Sequence, residues 1–404
     1  MSSTRPHTLP PGLTVLILSA LLGLQPLTTD LYLSALPALT ESFGAPMSEA
    51  QLTLTALLLA FGLSQLIWGP LSDRFGRRPV LLMGMVAFVL ASVASTLSGN
   101  MHVLIVWRMV QGAAMGAGVV CARAIVRDLY SPVQGARVMS KGLSGLAVVA
   151  CMSAPLGGLL SDLFSWRIAL LVLAIYCVAC LALIALRFEE TLVQKNTQAL
   201  KPATMARTWQ QILTNPTFVA FSLLSAASYG GLFTFLGASS FVFIKVLGLS
   251  KTQYGLLMFS MSLSYMSGTF LCRWLLPRFG VPRTVAIAGV FSLTGGSLMG
   301  VLALAGVQSA AAIIFPFYIF MLGHGIHQPC GQSGAVGPFP QAAGAASALN
   351  GFAMMLTAFL MGSWLGTHMD GTVFPLVYGV WFWSALISLT AWTWVQKQGK
   401  PRAA

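Results

Sequence analysis

The sequence predicts an all-α polytopic membrane protein, with twelve transmembrane helices in two pseudo-symmetric six-helix bundles and both termini cytoplasmic. Three observations lead there. Of the 404 residues, 56% are hydrophobic and only 8% are charged, where soluble domains carry about 25%. The apolar residues fall in runs near the ~20-residue length that a helix needs to cross a bilayer. The basic residues cluster in the connections that lie on one side of such a layout. This composition excludes a soluble enzyme, a nucleic-acid-binding domain and a disordered chain. The net charge of +13 would suggest nucleic acid in a soluble protein, but here topology accounts for it.

Taken in order, the apolar segments are 13–36, 51–71, 79–98, 102–124, 138–160, 166–187, 217–244, 253–275, 282–304, 309–329, 343–366 and 372–395. The first has no small-residue cleavage site after it and reads as a retained span rather than a signal peptide. The longest connection runs from Phe188 to Pro216 and is polar, with Glu189, Glu190, Lys195, Asn196, Lys201 and Arg207. It divides the chain into an N-terminal bundle (1–187), a cytoplasmic linker (188–216) and a C-terminal bundle (217–404). With a cytoplasmic N-terminus, the inner side takes every Lys and Arg except Arg167, Lys245 and Lys251 outside and Arg108 within a span. That asymmetry sets the orientation.

The halves echo each other. Leu71-Ser72-Asp73-Arg74-Phe75-Gly76-Arg77-Arg78-Pro79 follows the second span, and Leu275-Leu276-Pro277-Arg278-Phe279-Gly280-Val281-Pro282-Arg283 follows the eighth. A duplicated unit implies two similar bundles facing each other across a central cavity. Gly112-x-x-x-Gly116 predicts close helix packing in the fourth span. The six cysteines (Cys121, Cys151, Cys177, Cys180, Cys272 and Cys330) lie within or beside apolar runs. They read as small packing residues, the Cys177/Cys180 pair included.

Only nine acids occur in the chain, and Asp30 is the one placed inside a span. Arg108 is the matching base. At ~1.5 Å per residue both lie roughly 9 Å below the outer surface. Charges at that depth are costly and usually paired or facing water, so they mark a pathway. Asp30 reads either as a helix tie or as a protonation switch. Arg108 reads as its partner or as a hydrogen-bond hub, with Gln111 one turn on. The Asp73–Arg78 loop reads as a positive anchor or as a latch between cytoplasmic ends, with Arg127 and Asp128 as candidate partners. His324 and His327 share a helix face and suit either a cavity wall or helix–helix hydrogen bonds. Tyr229 and Phe233, with Phe235, flank Gly230-Gly231 and suit either a pocket lining or packing. Too few ligands surround the histidines for a metal site. No His-Glu-x-x-His, phosphate-binding loop or nucleophile elbow is present, so neither catalysis nor ATP drives the protein. An ion gradient remains, and one proton crossing 100 mV releases about 2.3 kcal/mol.

These residues resemble a known family. Gly69-Pro-Leu-Ser-Asp73-Arg74-Phe-Gly76-Arg77-Arg78 is similar to the loop between the second and third helices of the major facilitator superfamily. Trp107-Arg108-Met-Val-Gln111-Gly112 is similar to the fourth-span motif of its twelve-span drug:proton antiporters. Thr29-Asp30-Leu-Tyr32-Leu33-Ser-Ala35-Leu36-Pro37 resembles the first-span motif of the Bcr/CflA subfamily, the bicyclomycin and chloramphenicol/florfenicol exporters, although Ser34 stands where that motif has Pro. Gln328-Pro329-Cys330-Gly331 and Gly337-Pro338-Phe339-Pro340 point the same way. Ala154-Pro155-Leu156-Gly157-Gly158 replaces the first Gly of the antiporter motif Gly-Pro-x-x-Gly-Gly and is one residue shorter. Leu22 occupies a position where some such exporters carry a second acid, which argues against a preference for cationic drugs.

The resemblance implies proton and substrate coupling at Asp30, Arg108 and Gln111. It also implies a cytoplasmic gate at Gly69, Asp73, Arg74, Gly76, Arg77 and Arg78, and an antiporter motif at Pro155, Gly157 and Gly158. Tyr32, Tyr229, Phe233, His324 and His327 are candidates for the cavity wall. The expected function is proton-coupled export of drug-like small molecules across the bacterial inner membrane by alternating access. A monomer with no cofactor and no nucleic-acid partner is expected. A carrier of a metabolite such as a nucleoside is the alternative on the same scaffold, and a non-transporting membrane sensor is a third reading.

Overall fold

Backbone polar groups find no partners in lipid, and all the secondary structure among the described residues is accordingly helical. The structure, a computed structural model, describes residues 10–130, 132–193, 195 and 200–398. Asn196 of the linker and both chain ends lie outside the described residues, so the side on which the termini emerge lies outside them too.

The first half comprises α1 (Pro11–Leu33), α2 (Leu36–Phe43), α3 (Met47–Phe75), α4 (Arg77–Thr96), α5 (Met101–Leu129), α6 (Pro132–Leu163) and α7 (Trp166–Arg187). The short α8 (Pro202–Leu213) occupies the linker. The second half comprises α9 (Pro216–Ser240), a π-helical turn at Phe241–Val246, α10 (Lys251–Leu304), α11 (Ala310–Val336), α12 (Ala343–His368), α13 (Phe374–Trp392) and the short α14 (Trp394–Gln398). Among the described residues, eleven helices are long and apolar enough to cross a membrane.

Several element ends differ from the sequence reading, and three of the differences have a local reason. The first span does not run unbroken to residue 36. It stops at Leu33 and resumes as α2, because Pro37 has no N–H to give the Leu33 carbonyl and its ring crowds that turn. The span expected to end at Pro329 continues to Val336 with Pro329 inside it, since neighbouring helices can meet a carbonyl freed by proline. The segments 253–275 and 282–304 extend toward each other as two helices that meet directly at a kink at Gly280 (φ 67°, ψ 173°), the two arms of α10. The corresponding first-half break is at Gly76 (φ 113°). Both turns use the positive φ that glycine adopts at no steric cost, so the sequence echo is matched in the backbone.

Within the first half α5 packs on α3 and α4, and α1 packs on α6. A Cβ on Gly112 would come within 2.8 Å of the Leu57 carbonyl carbon, and one on Gly116 within 3.0 Å of the Trp68 ring. The small-residue repeat therefore lets α5 lie against α3, as its spacing predicts. The two halves meet along α3 against α12 and along α6 against α10.

Candidate functional site

The first-half interior is organised around Arg108, which is fully buried. Its guanidinium donates to the carbonyl oxygens of Thr28 on α1 (3.0 Å) and Thr53 on α3 (3.4 Å), and to Gln111 Oε1 on its own helix (2.9 Å). Gln111 Nε2 donates in turn to Ser92 on α4 (2.9 Å). Four helices thus converge on one cation with neutral acceptors. The Tyr32 ring lies 4.2 Å from the guanidinium carbon and its hydroxyl donates to Thr53 Oγ1 (2.8 Å). Tyr32 is buried in this cluster.

Asp30, two residues after Thr28 on α1, is partly exposed. Its carboxylate accepts from the Thr29 hydroxyl at 2.8 Å. No ion pair joins it to Arg108 among the described residues. Rotation about α1 explains this: Thr28 turns its carbonyl toward α5, while Asp30, about 200° further round the helix, emerges elsewhere. The antiporter-motif residues sit against the same stretch. A Cβ on Gly157 would lie 2.8 Å from the Leu31 carbonyl carbon, and one on Gly158 3.2 Å from Thr252 Cα on α10. Gly255 of α10 faces Pro155, with 2.8 Å from its added Cβ to the proline Cα. Pro155, Gly157 and Gly158 therefore let α6 touch α1 on one side and the opposite half on the other.

The start of α1, the Gly76 turn and the end of α5 lie at one end of the molecule, since Tyr130 donates to Thr14 (3.2 Å) and Asp128 meets Arg77. Arg77 is 1% exposed. It donates to Asp73 (2.7 Å), Ser72 (2.8 Å) and both oxygens of Asp128 (2.7 and 3.3 Å). Glu190 completes the cluster. It accepts the backbone N–H groups of Arg77 (2.9 Å), Arg78 (3.2 Å), Thr191 and Leu192 (both 3.0 Å). Helix α4 opens with two arginines and no acid in its first turn, so Glu190 supplies the anion that its N-terminus favours. Sequence reasoning named Glu190 only as a linker acid. The available signal was that acid-free, arginine-led helix start. Arg78 reaches the Ala185 carbonyl (3.1 Å), Arg127 reaches Asp73 (3.5 Å), and Arg74 lies over Phe75.

The second-half candidates divide by partner. His324 bonds Ser228 on α9 (2.8 Å), whereas His327 turns to α10, 3.5 Å from Ser292 and 3.3 Å from the Val285 carbonyl. Both are buried, and each joins two helices. Phe233 is buried, and Phe235 stacks on Phe317 at 3.7 Å. Tyr229 is partly exposed and faces Gln25 of α1.

Between the halves, a crevice of about 310 Å³ lies at the Arg77 end, lined from α3, α5, α8 and α12. Gly69 and Asp73 are in its wall, together with Gln65, Arg123 and Trp209, which sequence reasoning did not single out. At the opposite end the halves are joined. Asp162 accepts from the backbone N–H (2.7 Å) and hydroxyl of Thr252, Lys251 donates to the Ser161 carbonyl (3.0 Å), and Glu41 pairs with Lys245. Nearer the centre, the Gln51 amide donates to the Gly237 carbonyl.

Two helical halves with matching glycine breaks, a buried arginine hub in the first and a crevice between them at one end are the architecture of a membrane carrier. The chain belongs to the Major Facilitator Superfamily, whose profile matches residues 18–362. It is 29% identical to multidrug resistance protein D of Escherichia coli (strain K12), over 83% of this chain and 84% of that protein. It is 30% identical to a chloramphenicol resistance protein of Pseudomonas aeruginosa, over 83% of this chain and 79% of that protein. The crystal structure of a D-xylose–proton symporter shares the fold, with a TM-score of 0.73 at 17% identity, covering 96% of this chain and 99% of that one.

Proposed function

We propose that this protein is a proton-coupled exporter of drug-like small molecules, of chloramphenicol or bicyclomycin type, in the bacterial inner membrane. The observation that carries the reading is the state of Asp30. It is the acid at membrane depth, partly exposed, held by one hydroxyl and free of any ion pair among the described residues. Such a group can gain and lose a proton without breaking a salt bridge. Arg108 is tied to neutral acceptors and so does not compete for the Asp30 carboxylate. The drug-resistance names of the two relatives support the substrate class.

In this reading the arms of α10 on either side of Gly280 cross separately, which makes twelve crossings. Residues 1–187 and 217–404 form the two bundles on either side of the cytoplasmic linker 188–216. The Arg77 end, rich in arginine, faces the cytoplasm with both termini. The protein works as a monomer by rocking one half against the other along the α3–α12 and α6–α10 contacts. Asp73, Arg77, Asp128 and Glu190 hold the cytoplasmic ends of the first half together during that motion.

The test uses purified protein in liposomes loaded with a pH dye, wild type against Asp30→Asn, challenged with chloramphenicol-type compounds and with nucleosides. Proton movement triggered by the drug panel and abolished by Asp30→Asn is the expected result. Movement triggered by nucleosides alone would make the protein a metabolite carrier, and drug-triggered movement surviving the substitution would remove Asp30 from the coupling step.

A further inference from the structure

The crevice between α3, α5, α8 and α12 has chemistry of its own. Its walls are apolar over Leu66, Pro70, Val120 and Ala348, and Trp209 closes it from the linker side. At about 310 Å³ it matches the lower end of small-molecule sites. Inside it lies Arg123. Its guanidinium makes one hydrogen bond, across the halves to Ser347 Oγ at 2.8 Å, and has no carboxylate partner among the described residues. Arg123 is exposed, so of its five donors those not on Ser347 face the open crevice and its solvent. The other charges of the wall are committed, because Asp73 already accepts from Arg77 and Arg127.

A second group points the same way. Gln65 is 3% exposed, lines the crevice, and its amide has no hydrogen-bond partner among the described residues. An exposed guanidinium without a carboxylate partner among the described residues and an amide beside it, between aliphatic walls and an indole, form the complement of a flat apolar body bearing one oxyanion.

We propose that this crevice binds aromatic carboxylates, with the carboxylate on Arg123, the Gln65 amide as its neutral partner and the ring between Trp209 and the apolar wall. Its place as the cytoplasmic mouth of the transport route rests on the exporter reading above, whereas the binding itself does not.

The test is calorimetric titration of the full chain in uncharged detergent, without a pH gradient, using 2-naphthoate, 2-naphthamide and 2-naphthylmethylamine. Wild type should bind the carboxylate tightest and the amine weakest. Arg123→Gln should weaken the carboxylate by about tenfold or more and leave the amide unchanged, which also reports that the variant is folded. Arg123→Lys should keep a preference for carboxylate over amide. Equal binding of the three probes would overturn the proposal, as would a carboxylate affinity indifferent to Arg123→Gln or a lysine variant without preference. Binding of short-chain phosphatidylglycerol in place of naphthoate would also overturn it, assigning the crevice to a lipid. Loss of proton-coupled flux in liposomes would leave the binding result standing, and failure to bind naphthoate would leave drug export standing.

Discussion

Arg108 donates to the carbonyl of Thr28, two residues before Asp30, and makes no ion pair with that acid. The base on α5 and the acid on α1 are wired differently: one to the backbones of α1 and α3 and to Gln111, the other to a single hydroxyl. The base is structural glue for four helices as well as the source of a local positive field, and the acid is left with room to change its charge.

Arg108→Lys should therefore fail to substitute for arginine although the charge is kept. One ammonium cannot span Thr28, Thr53 and Gln111 as the planar fork does. Leaving buried acceptors unpaired costs about 1–3 kcal/mol each at most, so thermal unfolding in detergent should show a melting point several degrees lower. A lysine variant as stable as wild type would mean that the hub carries no load.

At the basic end, Asp128→Asn should destabilise more than Asp73→Asn. Both acids pair with the same buried guanidinium, but Asp128 is 12% exposed and Asp73 38%. Removing a partner from a buried pair costs roughly 3 kcal/mol, while a solvated one is worth about 1 kcal/mol or less. Chemical denaturation of the two variants side by side checks the order.

Gly76→Ala should damage the same cluster from the backbone. The turn holds φ at 113°, and an added Cβ would come within 2.9 Å of the Glu190 carboxyl carbon. A strained residue costs of order 1–3 kcal/mol. Glu190→Gln, which keeps the shape and removes the charge, should cost about 0.5–1 kcal/mol. Limited proteolysis of the 188–216 linker should speed up in the order wild type, Glu190→Gln, Gly76→Ala.

Gly157→Val should reach Asp30 without touching it. The new side chain would push on the Leu31 backbone and so shift the adjacent acid. Because the clash is with backbone, stability should fall as well, and proton-coupled flux per folded protein should fall by an order of magnitude or more. Normal flux in a folded Gly157→Val protein would show that the α1–α6 contact is not needed for coupling.

Much of this was legible before the fold was seen. Spans are visible because each must be apolar over its own length. Arg108 with Gln111 at i+3 was legible because both lie on one helix. What depends on how helices rotate against one another was not: the turn of Asp30 away from Arg108, and the parting of His324 and His327 toward different neighbours. Nor were the groups that meet from distant parts of the chain, such as Glu190 at Arg77, or Arg123 at Ser347 with Trp209 from the linker. The stop at Leu33 was readable from Pro37, and the apolar run merely hid it.

The two glycine turns share a backbone but not their surroundings. Gly76 sits among Asp73, Arg77, Asp128 and Glu190, whereas at Gly280 an added Cβ would touch nothing within 4 Å. The positions matching Asp73 and Arg77 are Pro277 and Val281, and Arg278 rests on the Trp274 ring at 3.8 Å. The duplicated bundles are thus mechanically unequal, one clamped at its bend and the other free to flex there. Bending during each cycle would then concentrate at Gly280, with the first half moving as a rigid lever.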